Sequence, residues 1–178
     1  MSSFLAFEAP SIYEVDLDFF VRKGIKALLI DRDNTLDSYD SLSPRKEAFL
    51  LKEELRKRGI RMLVFSNNQG KKLEGYLKEL GVPSLTSSHK PLPKRTLKFL
   101  QEQGVKKDEV MIVGDQLLTD YRLAKSCEVP VLLVDPLTAK DHFVTRFYRW
   151  YDRMKRTKMR KKGCFQKAPL THKKEELA

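Results

Sequence analysis

Six polar residues are of types, and stand at positions, that could do chemistry together. Asp31 and Asp33 lie two apart in DRDNTL (31–36), Ser66 follows MLVF, Lys90 lies in SHKP, and Asp115 follows VMIVG, with Asp120 five residues on. Two carboxylates two residues apart on a loop leaving a strand can face one point. A hard cation such as Mg²⁺ takes oxygen ligands and keeps several waters, so one or two protein carboxylates suffice to hold it. Asp115 supplies a further carboxylate, and Asp120 one behind it. Ser66 and its neighbouring amides can meet an anionic oxygen. Lys90 brings a full positive charge to the entrance of a helix expected near Pro93, where the helix dipole also favours anions. Carboxylate nucleophile, second carboxylate, metal, hydroxyl and lysine together describe phosphoryl transfer. Each has a plainer reading alone: DxD in a turn, Ser66 with Asn67 and Asn68 as a loop cap, Lys90 as a surface lysine, Asp115 as a helix N-cap. Their order, each at the end of an expected strand, favours chemistry.

The elements that must position these residues can be read from hydrophobic patterning. KALLID (26–31), RMLVFSNN (61–68), VMIVGDQ (110–116) and VPVLLVDP (129–136) each hold a short continuous apolar run, the pattern of a strand buried on both faces of a parallel sheet. Helical patterns alternate with them at 44–58 (Ser43 as N-cap, Pro44 in the first turn), 71–80, 93–103 and 117–126, three of them stopped by glycine. A short strand is expected at 84–86, and a short helix at 16–23 behind an apolar lead of Phe4, Leu5, Phe7, Ile12 and Tyr13. Alternation of this kind predicts an α/β fold, mostly parallel, with a crevice where the polar strand ends collect.

The chain has 178 residues and a formal net charge of +11, from 35 Lys and Arg against 24 Asp and Glu. Its length suits one domain, and 41% hydrophobic residues exclude a disordered chain. No apolar run approaches the ~20 residues of a membrane span. Two cysteines, Cys127 and Cys164, make no disulfide framework and fit a reducing, cytoplasmic setting, and the N-terminus lacks a signal-peptide pattern. Cys127 reads as a small core residue. His89, His142 and His172 are too scattered to suggest a metal site. The charge is uneven: residues 146–178 hold 12 basic and 3 acidic residues, leaving the body almost neutral. The expected division is a catalytic domain at 1–139 and a basic amphipathic helix with a frayed tail at 140–178.

In these motifs the chain resembles the haloacid dehalogenase (HAD) superfamily of aspartate-dependent phosphatases. Asp31-Arg32-Asp33-Asn34-Thr35 corresponds to DxDxT, Ser66 to the second motif, Lys90 to the third, and Gly114-Asp115 through Asp120 to the acidic fourth; the likeness spans about residues 24–135. DNTL, SNN, KP and GDQxxTD together look like the YqeG-type branch of subfamily IIIA, which includes phosphatidylglycerophosphate phosphatases. The resemblance implies that Asp31 is the nucleophile and Asp33 the general acid and base. It implies Mg²⁺ held by the Asp31 and Asp115 side chains with the Asp33 carbonyl. Thr35, Ser66, Asn67 and Lys90 would then contact phosphate, with Asn34 and Asp120 supporting them from behind. Arg32 departs from the apolar residue usual there and could add a phosphate contact. Relatives selecting small metabolites often carry a cap domain between these motifs. The 35 residues from Asp31 to Ser66 and the 24 from Ser66 to Lys90 leave no room for one, so the expected fold is a capless Rossmannoid open to bulky substrates.

In the tail, Phe143, Phe147, Trp150, Tyr151 and Met154 share one helical face, flanked by Arg146, Arg149, Arg153 and Arg156, with Lys155 and Lys158 beyond. Such a helix can dock on the body, lie on anionic lipid or bind a nucleic-acid backbone. The expectation is a phosphatase acting on phosphatidylglycerophosphate at the inner face of a membrane. The alternatives are a nucleic-acid terminal phosphate, a phosphoprotein or a small phosphometabolite as substrate, or a non-catalytic membrane- or RNA-binding protein.

Overall fold

The structure, a computed structural model, describes residues 4–138 and 143–171, with 143–149 described by backbone alone. Its centre is β2 (Ala27–Asp31), five residues buried on both faces. The strand β3 (Arg61–Phe65) pairs on one side and β5 (Val110–Gly114) on the other, both parallel to it. Including β1 (Ala6–Ala9), β4 (Ser84–Leu85), β6 (Val131–Val134) and β7 (Gln166–Lys167), the sheet runs β4-β3-β2-β5-β6-β1-β7, with every strand pair parallel. Parallel pairing forces each connection to cross a face of the sheet, which is why helices separate the strands.

Helices α1 (Asp18–Arg22), α2 (Lys46–Lys57) and α3 (Lys71–Leu80) cover one face, where Phe20, Leu55, Tyr76 and Leu80 meet Leu28, Ile30 and Val64. Helices α4 (Pro93–Glu102) and α5 (Arg122–Cys127) cover the other, packing Phe99, Leu100, Leu123 and Ala124 on Ala27, Leu29 and Phe65. Chain order reverses at β2, with β3 and β4 on one side and β5 and β6 on the other. The crevice therefore opens at the carboxyl end of β2, the switch point of a doubly wound sheet. Cys127 is a core residue of the second layer, and burial pushes its thiol up to about 11.

The expected core strands and helices form, with instructive differences at their ends. Helix α2 begins at Lys46, and no side chain caps it; the Pro44 region instead belongs to a loop whose Arg45 amide donates to Asp37 Oδ2 at 3.0 Å. The single helix expected at 117–126 is a π-helical turn, Leu117–Tyr121, running into α5. The apolar lead becomes β1, paired with β6, so Phe7 is a core residue.

The C-terminal helix α6 (Phe143–Lys161) and the residues after it return to the body. Met159 and Phe165 pack against the second layer, and Phe165 meets Tyr121 edge-on with ring centroids 6.0 Å apart. Within the tail expected to fray, residues 164–171 meet the body: β7 pairs with β1, Ala168 is buried, and the Asp16 amide donates to the Pro169 carbonyl at 2.9 Å. Sequence pattern misses this because two exposed residues of strand carry no hydrophobic signal. Deleting residues 164–178 removes these bonds and the Ala168 and Phe165 contacts. It should cost roughly 2–4 kcal/mol, read as a lower urea midpoint; unchanged stability would mean that the segment does not support the sheet.

Candidate active site

Strand register brings the polar residues together. Asp31 is level with Phe65 on β3, so Ser66 leaves the sheet one step beyond it, and Ile30 is level with Val113, so Asp115 leaves at almost the same height. Asp31 shares side-chain parity with Ala27 and Leu29 and so points into the layer of α4 and α5. The loop before α4 and the π turn before α5 lie in that layer, and they carry Lys90 and Asp120.

Lys90 Nζ donates to Asp31 Oδ1 at 2.7 Å and Asp120 Oδ1 at 2.8 Å, with all three side chains buried, and it lies 4.2 Å from the centroid of the Phe65 ring. Carboxylate oxygens of Asp31, Asp115 and Asp120 lie within 4.8 Å of one another. Burial raises the Asp31 carboxyl well above its ordinary range; Lys90 opposes this, and Asp120, Asp115 and Asp33 reinforce it. Burial alone would depress Lys90, yet Asp120 and Asp31 outweigh it and hold the ammonium above its ordinary value. One lysine thus serves a crowded set of carboxylates. Such an all-oxygen, buried donor set fits a hard divalent cation, which Asp31 and Asp115 would hold. When bound, the cation would offset the repulsion between these carboxylates and an incoming anion.

Asp33 faces the other half of the crevice. Its Oδ2 accepts from Ser66 Oγ at 2.8 Å and Asn68 Nδ2 at 3.0 Å, and its Oδ1 accepts from Arg32 at 2.6 Å. The Ser66 hydroxyl also accepts from the Asn68 amide at 3.0 Å. Asn67, expected at the phosphate, spends its side chain on the lysine loop: Oδ1 accepts from the Lys90 amide at 2.7 Å and Ser88 Oγ at 2.8 Å. It therefore positions Lys90. Thr35, also expected at the phosphate, is fully buried, and its hydroxyl has no hydrogen-bond partner among the described residues. Asn34 adopts a left-handed backbone (φ 61°) and binds outside the cluster, accepting from Thr138 Oγ1 at 2.8 Å. Arg32 is buried. It spans Asp33 and the Tyr39 and Ser41 carbonyls, stacked 4.6 Å from the Tyr76 ring centroid, and so pins the loop after β2.

The tail residues separate. Trp150, Arg153, Lys155 and Lys158 are exposed on α6. The side chains of Arg146, Arg149, Phe143 and Phe147 lie outside the described residues, as do His142 and His172. Arg156, expected on a membrane-facing surface, is buried at 5% exposure beneath the Asp115 loop, where its guanidinium donates to the Asp115 and Val134 backbone carbonyls. Nothing in its spacing sets it apart from Arg153; its partners outside α6 are 21 to 41 residues away. Asp152, whose Oδ1 accepts from the Leu117 amide at 2.6 Å, is equally invisible in the sequence. Among the described residues, no helix is long and apolar enough to cross a membrane.

Two consequences can be measured. A Cβ on Gly114 would stand 2.2 Å from Asp120 Cγ, so Gly114→Ala must displace Asp120 from Lys90. It should destabilise the fold by about 2–4 kcal/mol and open the carboxylate cluster; a urea midpoint equal to the wild type's would show that Asp120 relaxes freely. The second concerns pH. The Asp31 carboxyl is raised when folded, so the unfolded chain ionises first and folding stability falls as pH climbs past the ordinary value of 3.8. Asp31→Asn should therefore stabilise the metal-free protein near pH 7, with the gain gone below about pH 4. Urea unfolding in EDTA at both pH values checks this, and no gain at pH 7 would mean that Lys90 fully compensates the buried charge.

Comparison with known proteins agrees with the motifs and the fold. Residues 3–127 match the hydrolase family described as haloacid dehalogenase-like hydrolase. Over 156 residues the chain is 28% identical to the "Probable phosphatase YqeG" of Bacillus subtilis (strain 168), covering 88% of this chain and 91% of that one. Two solved structures share the fold. A candidate 3-deoxy-D-manno-octulosonate 8-phosphate phosphatase from Vibrio cholerae has a TM-score of 0.54 at 18% identity, covering 72% of this chain and 77% of its own. A 3-deoxy-D-manno-octulosonate 8-phosphate phosphatase from Yersinia pestis has a TM-score of 0.54 at 17% identity, covering 67% and 70%. With the family matching well over half its length, and with a doubly wound sheet that gathers Asp31, Ser66, Lys90 and Asp115 at one edge, the chain belongs to the haloacid dehalogenase-like hydrolases.

Proposed function

We propose that the protein is a Mg²⁺-dependent phosphomonoesterase working through an aspartyl-phosphate, with phosphatidylglycerophosphate as its substrate. The observation that carries the chemistry is Lys90 held between Asp31 and Asp120, beside an Asp33 engaged by Ser66 and Asn68. An Asp31 oxygen attacks phosphorus, and the bond from phosphorus to the substrate oxygen breaks. Asp33 gives its proton to the departing alkoxide, then takes one from the water that attacks the aspartyl-phosphate, releasing inorganic phosphate and restoring Asp31. Ser66, Asn68 and Lys90 carry donors that a phosphoryl group can share. Such preorganised donors act where charge gathers in the transition state. Mg²⁺ is the cation proposed because the donors are oxygens and few protein ligands are needed.

The lipid reading rests on openness and on α6. The connection from β2 to β3 is a loop and one helix, and that from β3 to Lys90 one helix and a two-residue strand, so no inserted domain covers the crevice. Trp150, 58% exposed, and the exposed Arg153, Lys155 and Lys158 lie on the helix that reaches the Asp115 loop through Arg156. An aromatic and cationic face beside an uncovered site suits anionic lipid, with each cation near the surface worth about 1 kcal/mol. The similarity to the Bacillus phosphatase supports the reaction class. A nucleic-acid terminal phosphate, a phosphoprotein or a sugar phosphate is the competing substrate.

Asp31→Asn should lower phosphate release by on the order of 10³-fold or more while leaving the fold intact; residual wild-type turnover would refute the aspartyl-phosphate. Phosphate release should be fastest from phosphatidylglycerophosphate vesicles, against a 5′-phosphorylated oligonucleotide, a phosphopeptide and 3-deoxy-D-manno-octulosonate 8-phosphate. It should stop in EDTA and return with Mg²⁺. Equal or faster release from any other substrate would overturn the lipid assignment and leave the chemistry standing.

A further inference from the structure

Helix α6 lies outside residues 3–127, the part of the chain that the hydrolase family matches. Yet two of its side chains grip the loop that carries the Asp115 carboxylate. Arg156 Nη2 donates to the Asp115 carbonyl at 2.6 Å and to the Val134 carbonyl, at the end of β6, at 3.0 Å. Its Nη1 donates to Asp135 Oδ1 at 3.3 Å, and its Nε faces Asp152 Oδ2 at 3.2 Å. Asp152 Oδ1 in turn accepts from the Leu117 amide at 2.6 Å.

We infer that Arg156 and Asp152 are positioning residues for the Asp115 carboxylate, so that the cation affinity of the crevice is set partly by α6. The contacts straddle Asp115. Its own carbonyl is held by Arg156, the Leu117 amide by Asp152, and the Gln116 amide between them by Asp120 Oδ2 at 3.2 Å. Three successive backbone groups are thus fixed by side chains, which fixes the peptide plane after Asp115 and with it the direction in which the carboxylate leaves the chain. Opening turns of helices leave amides unsatisfied. Here those amides are taken by residues that serve the site, since Asp120 continues to Lys90 and Lys90 to Asp31.

Holding α6 on the sheet would not by itself require this arrangement. A buried guanidinium has a large desolvation cost, and an apolar side chain of similar size docks a helix at least as well. What an apolar side chain cannot do is bind two carbonyls and a carboxylate at once. Arg suits the task because its planar fork reaches several acceptors in fixed geometry, whereas an ammonium is a compact point charge. Groups placed behind metal ligands in this way commonly change metal affinity by 10–100-fold when removed.

The inference rests on the cation site proposed above, and its test reads binding without turnover. Mg²⁺ affinity is measured by isothermal titration on the full-length protein, and stability by urea unfolding in EDTA. Arg156→Met should weaken Mg²⁺ binding by roughly tenfold or more, and Arg156→Lys should recover only part of the loss. Asp152→Ala, which frees the Leu117 amide and removes the carboxylate beside Arg156 Nε but keeps the guanidinium's bonds to the Asp115 and Val134 carbonyls, should weaken it by a smaller factor. Leu55→Ala, in the opposite layer, supplies a control that lowers stability but should leave Mg²⁺ affinity within about twofold. The inference is overturned if folded Arg156→Met or Asp152→Ala binds Mg²⁺ as the wild type does, or if Leu55→Ala weakens binding as much as they do. Should Arg156→Met fail to fold, Asp152→Ala and Arg156→Lys decide the matter alone. A wild-type protein that binds no Mg²⁺ would instead remove the cation site itself, a result separable from any difference among the variants.

Discussion

Lys90 reaches from the loop before α4 into the space between Asp31 and Asp120, and much of the crevice is arranged around the charge it carries. Buried carboxylates repel one another and lose hydration, so a cluster of them persists only with a cation at its centre. The Phe65 ring beneath the ammonium and the Asn67 side chain on the Lys90 backbone keep that cation in place. Gly114 is demanded by the same packing, because Asp120 occupies the space a Cβ would need. Burial, with Asp120, Asp115 and Asp33 close by, keeps the Asp31 carboxyl raised despite Lys90, and a divalent cation fits this crowded set of oxygens.

The parallel sheet makes this economical. Every strand of the central set points its carboxyl end the same way, so loops distant in sequence open onto one edge. Strand parity then sorts side chains by layer: Asp31 turns toward the face of α4 and α5, where Lys90 and Asp120 wait. Asp33, two residues later and already in the loop, turns to Ser66 and Asn68. The proposed nucleophile and its proposed acid–base partner are separated by two residues and by the loop's change of direction. Arg32, between them, spends its donors on the turn and keeps that change of direction fixed.

The C-terminal helix has two unlike sides. Its exposed side carries Trp150, Arg153, Lys155 and Lys158, while Arg156 and Asp152 are turned inward against the loop of Asp115. One helix thus offers a basic face to the surroundings and a hydrogen-bonded face to the site. Basic residues that look alike along the chain are parted by a helical rotation of about 100° per residue.

The α/β alternation, the order of the polar strand ends and the gathering of Asp31, Asp33, Ser66, Lys90 and Asp115 at one crevice were all legible in the sequence. They depend on local patterns: apolar runs of strand length, glycine stops, and polar residues at fixed offsets from them. The partners of Asn67, Arg32, Asp152 and Arg156 were not legible, nor was β7. Each depends on contacts across tens of residues, or on backbone carbonyls and amides that are the same for every residue type. Local composition determines which elements form and which chemical groups stand at their ends. Only tertiary packing decides which of those groups turn inward, because burial and hydrogen-bond satisfaction are properties of neighbours brought together by the fold.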